Sequence, residues 1–306
     1  MANVLLRSPF YEYRTRALAL SAKLELSING NLEYTILKDT ITNGALFEIS
    51  ELASDFLEIT FNGTYSHQGV VISGVVTYYD GYNGAGNVLG LTESFSHIGL
   101  EGYSTFQEGK NSTVLDGVLM QPNTIVYVPE NTSGQIPFMD SGEITYSIFG
   151  PTDTTAIVAS ENITIKRLCD PLFTPVKVTF VNKLGALQDL WFDKKSVNSY
   201  ATTSESFRRN IIDLNGDYNT TRHQTYNTNF SATESITLNT GFVDEGIDAV
   251  INELILSTGI WGTINGAVIP LTIKTKSQTR KTQLNDKLIN YTIDFDFAFD
   301  SLNNIR

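Results

Sequence analysis

The chain has 306 residues, 41% of them hydrophobic and 18% charged, with a formal net charge of −12, which is enough length and apolar content for two globular domains with packed cores. No stretch approaches the roughly eighteen apolar residues that span a bilayer, and the opening MANVLLRSPFYEYRTR lacks the apolar centre of a signal peptide, so no membrane partner is expected. A single cysteine, Cys169, excludes an internal disulfide and leaves stability to packing or to neighbouring subunits.

The charge is unevenly placed. Residues 1–170 hold 8 basic and 19 acidic side chains, net −11, whereas residues 171–306 hold 13 and 14, net −1. From Asp39 to Ile165 one cation, Lys110, faces fifteen carboxylates. Such a surface repels a phosphate backbone, so no nucleic-acid partner is expected there.

In chain order, the opening segment interleaves Arg7, Arg14 and Arg16 with Phe10, Tyr11 and Tyr13 ahead of the acidic region. These arginines are candidate interaction residues: the segment reads either as an arm docking on a neighbour's acidic face or as a first strand with exposed arginines. AKLELSI and LEYTILK then flank Asn29-Gly30, a dipeptide that supplies the positive φ angles of a type I′ hairpin. SELASDFL (50–57) allows a short helical turn, although its apolar spacing also suits a strand, and strands are expected at LEITFNG (57–63) and VVISGVVTYY (70–79). The segment TYYDGYNGAGN (77–87) sets Tyr78, Tyr79 and Tyr82 among Gly, Asn and Asp. Those tyrosines either stack on a sugar or anchor a partner, or they cover their own sheet.

Further strands are expected at TIVYVP, GEITYSIF, KVTFVN, LQDLWF and SITLNT. The charge balance changes at CDPLFTP, where Pro171 and Pro175 interrupt pairing, which places a domain boundary near residue 170. One amphipathic helix is expected over 244–258, where Ile247, Val250, Ile251, Leu254 and Ile255 follow helical spacing, with Asp244 as N-cap and Gly259 as terminator. A second Asn-Gly hairpin follows at Asn265-Gly266. In the closing YTIDFDFAFD, Tyr291, Ile293, Phe295, Phe297 and Phe299 share one parity, and Asp294, Asp296 and Asp300 share the other, the pattern of a half-buried strand. The predicted class is all-β and mainly antiparallel: an acidic sandwich-like domain over 1–170 and a second β domain over 171–306 with one helix packed on its sheet.

Chemical signatures are sparse. His67, His97, His223 and Cys169 lie far apart in sequence and do not form a metal-ligand pattern, and pairing Cys169 with His223 as nucleophile and base has no support in spacing. DLNGDYN alternates Asp213, Asn215 and Asp217 but lacks the glycine position and the later glutamate of a calcium loop, so it reads as a turn. Phosphate loops, dinucleotide fingerprints and nucleophile elbows are absent, so no catalytic, metal or cofactor residues are assigned. A glycoside hydrolase would need two carboxylates across a cleft, which Asp294 and Asp296 supply only if they line a concave face.

KVTFVNKLGALQDLWFDKKS (177–196) and IPLTIKTKSQTRKTQLNDKLINYTIDFDFAFDSLNNIR (269–306) resemble virion proteins of tailed phages of Bacteroidetes-type bacteria. The Asn-x-x-Gly-Ala hairpin ending in Trp-Phe, the helix followed by Trp261, and the Asn-Asp-Lys-Leu-Ile-x-Tyr-Thr strand carry the likeness. The resemblance implies a structural subunit of a homo-oligomeric ring in the tail, portal-proximal or baseplate region, assembled in the host cytoplasm and partnered by its own copies and other virion proteins. For residues 171–306 it implies a fold of the tail-tube or distal-tail kind. The alternative function is a glycan-binding or adhesin-like module built on residues 77–87.

Overall fold

The computed structural model describes residues 1–152, 155–158, 161–168, 171–212, 214–217, 220–275 and 288–302. It is a β protein with two short helices among the described residues, and no described helix is long and apolar enough to cross a membrane.

The first part contains β1 (Ala2–Leu5), β2 (Tyr11–Thr15), β3 (Ser21–Ile28), β4 (Asn31–Asp39), β5 (Gly44–Glu48), α1 (Ser50–Ser54), β6 (Val70–Tyr79), β7 (Glu93–Leu100) and β8 (Thr113–Val114). Six strands form one sheet in the order β4-β3-β6-β7-β1-β8, with β1 parallel to β7, and β2 pairs with β5. Alternation decides which face is dry: Leu24, Leu26 and Ile28 of β3 and Ile72 and Val76 of β6 turn inward onto Phe47, Ile49 and Ala53. Asn29 and Gly30 adopt φ of 50° and 86°, as the first hairpin requires.

A middle layer follows: β9 (Gly117–Val118), β10 (Ile125–Pro129), β11 (Gly134–Asp140), β12 (Glu143–Phe149), β13 (Thr155–Val158) and β14 (Glu161–Leu168). It makes two small sheets, ordered β12-β11-β9 and β10-β14-β13, with β10 parallel to β14.

The last part comprises β15 (Val176–Val181), β16 (Leu187–Phe192), β17 (Val197–Arg208), β18 (Thr225–Asp244), α2 (Asp248–Ile255), β19 (Ile260–Ile264), β20 (Ala267–Ile273) and β21 (Leu288–Phe297). They form a seven-stranded sheet ordered β16-β15-β19-β20-β21-β18-β17. One face carries Val178, Phe180, Phe192, Ile236, Leu238, Ile293 and Phe295 against Ile251 and Leu254 of α2. The second Asn-Gly hairpin forms as expected between β19 and β20, with Asn265 at φ 50° and Gly266 at 80°.

Packing continues across the Pro171–Pro175 break. Tyr127 of β10 enters the core beneath the seven-stranded sheet, and Ala186 joins Leu5, Leu100 and Leu119 in a separate cluster. The hairpin at 182–186 is held by Asn182, whose Oδ1 accepts from the amides of Leu184 and Ala186 at 3.0 Å each, while its Nδ2 donates to Leu119 O at 2.6 Å.

Five expectations are corrected. LEITFNG is not a strand: it lies against the second face of the large sheet, with Phe61 against Val181 and Leu187. Its polar groups are met by side chains in place of a ladder, Gln68 closing on both Thr60 N (2.8 Å) and Thr60 O (2.5 Å). The helix is shorter than 244–258, spanning Asp248–Ile255 after a 3₁₀ turn over Glu245–Ile247. Asp244 does not cap it, because its carboxylate instead accepts from Tyr127 OH at 2.6 Å and pairs with Lys166. Gly259 does not end it through a left-handed residue; Leu256 is the C-cap, and Gly259 gives room to Trp261 and Val181. The closing strand keeps its parity through Tyr291, Ile293 and Phe295 but stops at Phe297, leaving Phe299 exposed.

Phe295 is fully buried. Phe295→Asp therefore places an unpaired charge in that layer at a cost on the order of 5 kcal/mol, comparable to a domain's whole stability. Loss of cooperative thermal unfolding is expected for this variant, whereas Asp296→Ala, on the wet face of the same strand, should melt within a few degrees of the parent.

Candidate functional site

The arginines of the opening segment are bound to their own domain. Arg7 lies over the Tyr103 ring at 5.1 Å and 3.9 Å from Glu101. Arg14 meets Glu12 at 3.1 Å, and Arg16 packs beside Gly90. Because β1 and β2 are paired strands, the segment is part of the sheets and not an extended arm.

The tyrosines of 77–87 separate in the same way. Tyr78 is 1% exposed: strand parity turns it into the first core, which removes it from the candidate interaction residues in favour of the reading in which it covers its own sheet. Burial raises its hydroxyl pKa to about 12. Tyr79 is half-buried and Tyr82 is 61% exposed on a short 3₁₀ turn. The loop is pinned by Asn87 N to Asp80 Oδ1 (2.6 Å), Asn83 N to Asp39 Oδ1 (2.9 Å) and Gly84 N to Ser21 Oγ (2.9 Å).

Ionisable groups meet each other in the interior, pair by pair. At Asp189, Tyr65 OH donates to both carboxylate oxygens at 2.6 and 2.5 Å, Thr179 Oγ1 donates at 2.6 Å, and Lys177 Nζ stands 3.8 Å away. Desolvation raises the Asp189 pKa, with Lys177 opposing, and burial next to Asp189 pushes the Tyr65 phenol up as well. This knot ties the loop carrying Tyr65 to β15 and β16. Glu253 of α2, also raised by burial, accepts from Gln121 Nε2 at 2.6 Å. Glu12 pairs with His97.

The histidines do not converge. His67 Nδ1 accepts from Ile144 N at 2.9 Å, with its pKa lowered by burial, and His223 is exposed. Cys169 and Asp213 lie outside the described residues, among which no three His, Cys, Asp or Glu are placed to share a metal ion. Asp294 and Asp296 sit on the outward face of β21, where they accept from Thr237 Oγ1 (2.5 Å) and Ser235 Oγ (2.6 Å), and Lys274 stands 3.1 Å from Asp296. Ser235 and Lys274 hold Asp296 below the usual carboxylate range. A groove of about 610 Å³ runs beside β8 and is lined by Met1, Asn3, Leu115, Asp116 and Gly142.

The feature not anticipated from sequence is the β17–β18 ribbon. Every residue of β17 is exposed. Beyond Ala232, whose carbonyl accepts from Ser301 N, the two strands pair with no third strand among the described residues. Six further residues of β17 carry the ribbon about 20 Å outward at 3.3 Å per residue. Pairing steps from Thr203↔Ser231 to Glu205↔Thr228, so β18 holds one extra residue, and Asn229 absorbs it at φ 49°. The bulge turns Tyr226 onto the face opposite the core face, where it meets Phe207 at a ring separation of 5.6 Å. Tyr200, Phe207 and Tyr226 are 46% to 58% exposed. The sequence signal was weak because this run is rich in Ser and Thr and has no apolar parity, which marks a strand with no core to face.

Protein-family models, curated proteins and solved structures were compared with the chain, and none matches it.

A raised carboxylate pKa has a fixed sign in stability. Because Asp189 binds its proton more tightly folded than unfolded, its contribution is fullest below the unfolded carboxylate pKa and declines as pH rises towards the folded value. Asp189→Asn is expected to flatten that decline in denaturant titrations taken from mildly acidic to neutral pH. Tyr65→Phe, which strips a donor from a buried carboxylate, should cost about 1–3 kcal/mol; an unchanged unfolding midpoint would contradict the role given to the knot.

Proposed function

We propose that this chain is a structural virion protein of a tailed phage, the subunit of a homo-oligomeric ring in the tail, portal-proximal or baseplate region, assembled in the host cytoplasm among copies of itself and other virion proteins. The observation that carries the reading is the ribbon: a two-stranded hairpin standing off its sheet with aromatic side chains on both faces. An isolated hairpin is marginal in water, and exposed strand edges invite pairing, so a long one is stabilised when neighbours cover it. The phage context comes from the resemblance of residues 177–196 and 269–306. The seven-stranded sheet with one flanking helix is compatible with a tail-tube or distal-tail subunit. No catalytic step belongs to this reading: Asp189, Glu253 and Asp296 are each engaged by neighbouring side chains in structural pairs.

A glycan-binding module is the alternative, favoured by the exposure of Tyr82 on its pinned turn. With Tyr78 in the core, it would rest on Tyr79 and Tyr82 alone.

Negative-stain microscopy and mass photometry of the purified chain are expected to show closed rings, and mass spectrometry of particles should find the chain at the copy number of a ring. A chain that stays monomeric at high concentration and is absent from particles would refute the proposal. On a glycan array, binding abolished by Tyr82→Ala would instead establish the alternative.

A further inference from the structure

We infer that the β17–β18 ribbon of one copy seats on the acidic N-terminal half of the next copy, with Arg208, Arg209 and Arg222 meeting its carboxylates and the Phe207–Tyr226 pair supplying the apolar contact. This rests on the ring reading and adds the surface that receives the ribbon.

A chain of net charge −12 repels its own copies unless a cationic patch on one meets an anionic patch on the other. The described cations elsewhere are mostly committed: Arg7, Arg14, Lys23, Lys166, Lys177, Lys183, Lys194 and Lys274 each lie within ion-pair distance of a carboxylate of the same chain. The ribbon's arginines are placed differently. All three are exposed, and among the described residues no carboxylate lies in ion-pair range of Arg208, Arg209 or Arg222. Arg209 instead lies over the Tyr226 ring at 5.7 Å, so the outer end of the ribbon presents arginine stacked on an aromatic pair. Arg, Tyr and Phe are the residue types that concentrate binding energy at protein interfaces. The described acids nearby are Glu205, which accepts from Asn229 Nδ2 at 2.6 Å, and Asp217 in the connecting loop.

The complementary surface is on the same chain. Residues 41–165 carry fourteen carboxylates and one cation, Lys110, which lies over the Tyr11 ring at 5.0 Å. Of the described carboxylates there, Glu101 and Glu108 have ion partners within the chain and the others have none. The remainder of residues 171–306 is close to neutral and offers arginines no such field. Arginines without a described ion partner on a projecting element and carboxylates without one elsewhere on the same chain favour a head-to-tail contact between copies, the heterologous kind that gives a ring where its rotation closes.

The test uses the full chain. A photo-crosslinking benzoylphenylalanine at position 226, irradiated in mixed light and isotope-heavy protein, is expected to give intermolecular adducts within residues 41–165. The triple variant Arg208→Glu, Arg209→Glu, Arg222→Glu should keep its circular dichroism, since all three side chains are exposed, and weaken self-association by about a hundred-fold. Added salt should weaken the parent in the same direction. Rings that persist undiminished in the triple variant, or adducts confined to residues 171–306, overturn the inference while leaving the ring reading standing. If the triple variant associates normally but loses binding to a DNA fragment that the parent retains, the ribbon is a nucleic-acid arm and the inference is wrong. A parent chain that is monomeric throughout removes the ring reading and this inference together.

Discussion

β18 is anchored at its inner end. Its inner part runs between β17 and β21, with Ile236 and Leu238 buried beside Phe295 and Val243 beside Ile247, whereas among the described residues its outer part pairs with β17 alone and is largely exposed. A strand is stiff over short distances because its ladder fixes each residue's dihedrals, so the buried end sets the direction in which the exposed end points. The core of the seven-stranded sheet therefore acts as the socket of a lever. The burial that makes Phe295 sensitive to charge also aims the ribbon.

The rest of the molecule strengthens that socket. β15 is buried along most of its length, because α2 packs on one face of the sheet while residues 57–65 cover the other. That second cover comes from the N-terminal half and is fastened at Asp189, whose carboxylate takes donors from Tyr65 and Thr179. A buried carboxylate satisfied in this way is costly to disturb, since removing one donor leaves a desolvated charge short of a partner. The knot adds specificity of docking between two stretches of chain that sequence composition would separate at residue 170.

How much of this could be read from sequence follows from which physical signals are local. Both Asn-Gly hairpins were legible because a type I′ turn needs two consecutive positive φ angles, and Asn29-Gly30 and Asn265-Gly266 supply them with no help from the rest of the fold. The parity of Tyr291, Ile293 and Phe295 was legible for the same reason. LEITFNG misled because its alternation is real but serves a different end: Ile59, Phe61 and Tyr65 join the cluster around Val181, Leu187 and Trp261, while Gln68 provides the hydrogen bonds a neighbouring strand would have given. Asp244 carries the chemistry of an N-cap, but Tyr127 and Lys166, both more than seventy residues away in sequence, hold its carboxylate. Tyr78 looked like part of a binding loop by composition and became core by parity, one residue before the strand ends. The ribbon escaped notice because hydrophobic periodicity detects strands by the core they face, and VNSYATTSESFR faces none.

Charge links these observations. Over much of the surface, carboxylates and cations are matched locally: Asp296 with Lys274, Asp244 with Lys166, Glu108 with Lys183. Local matching of that kind contributes modestly to stability and leaves little field at a distance. The imbalance that remains is therefore concentrated in the anionic stretch 41–165, while Arg208, Arg209 and Arg222 have no carboxylate in ion-pair range among the described residues. The Asn229 bulge matters here as well: without the extra residue, Tyr226 would share the core-side face with Ala232, and the aromatic pair with Phe207 would not form. One inserted residue thus gathers Phe207, Tyr226 and the stacked Arg209 at the outer end of the ribbon, far from the sheet that anchors it and available to a surface of opposite sign.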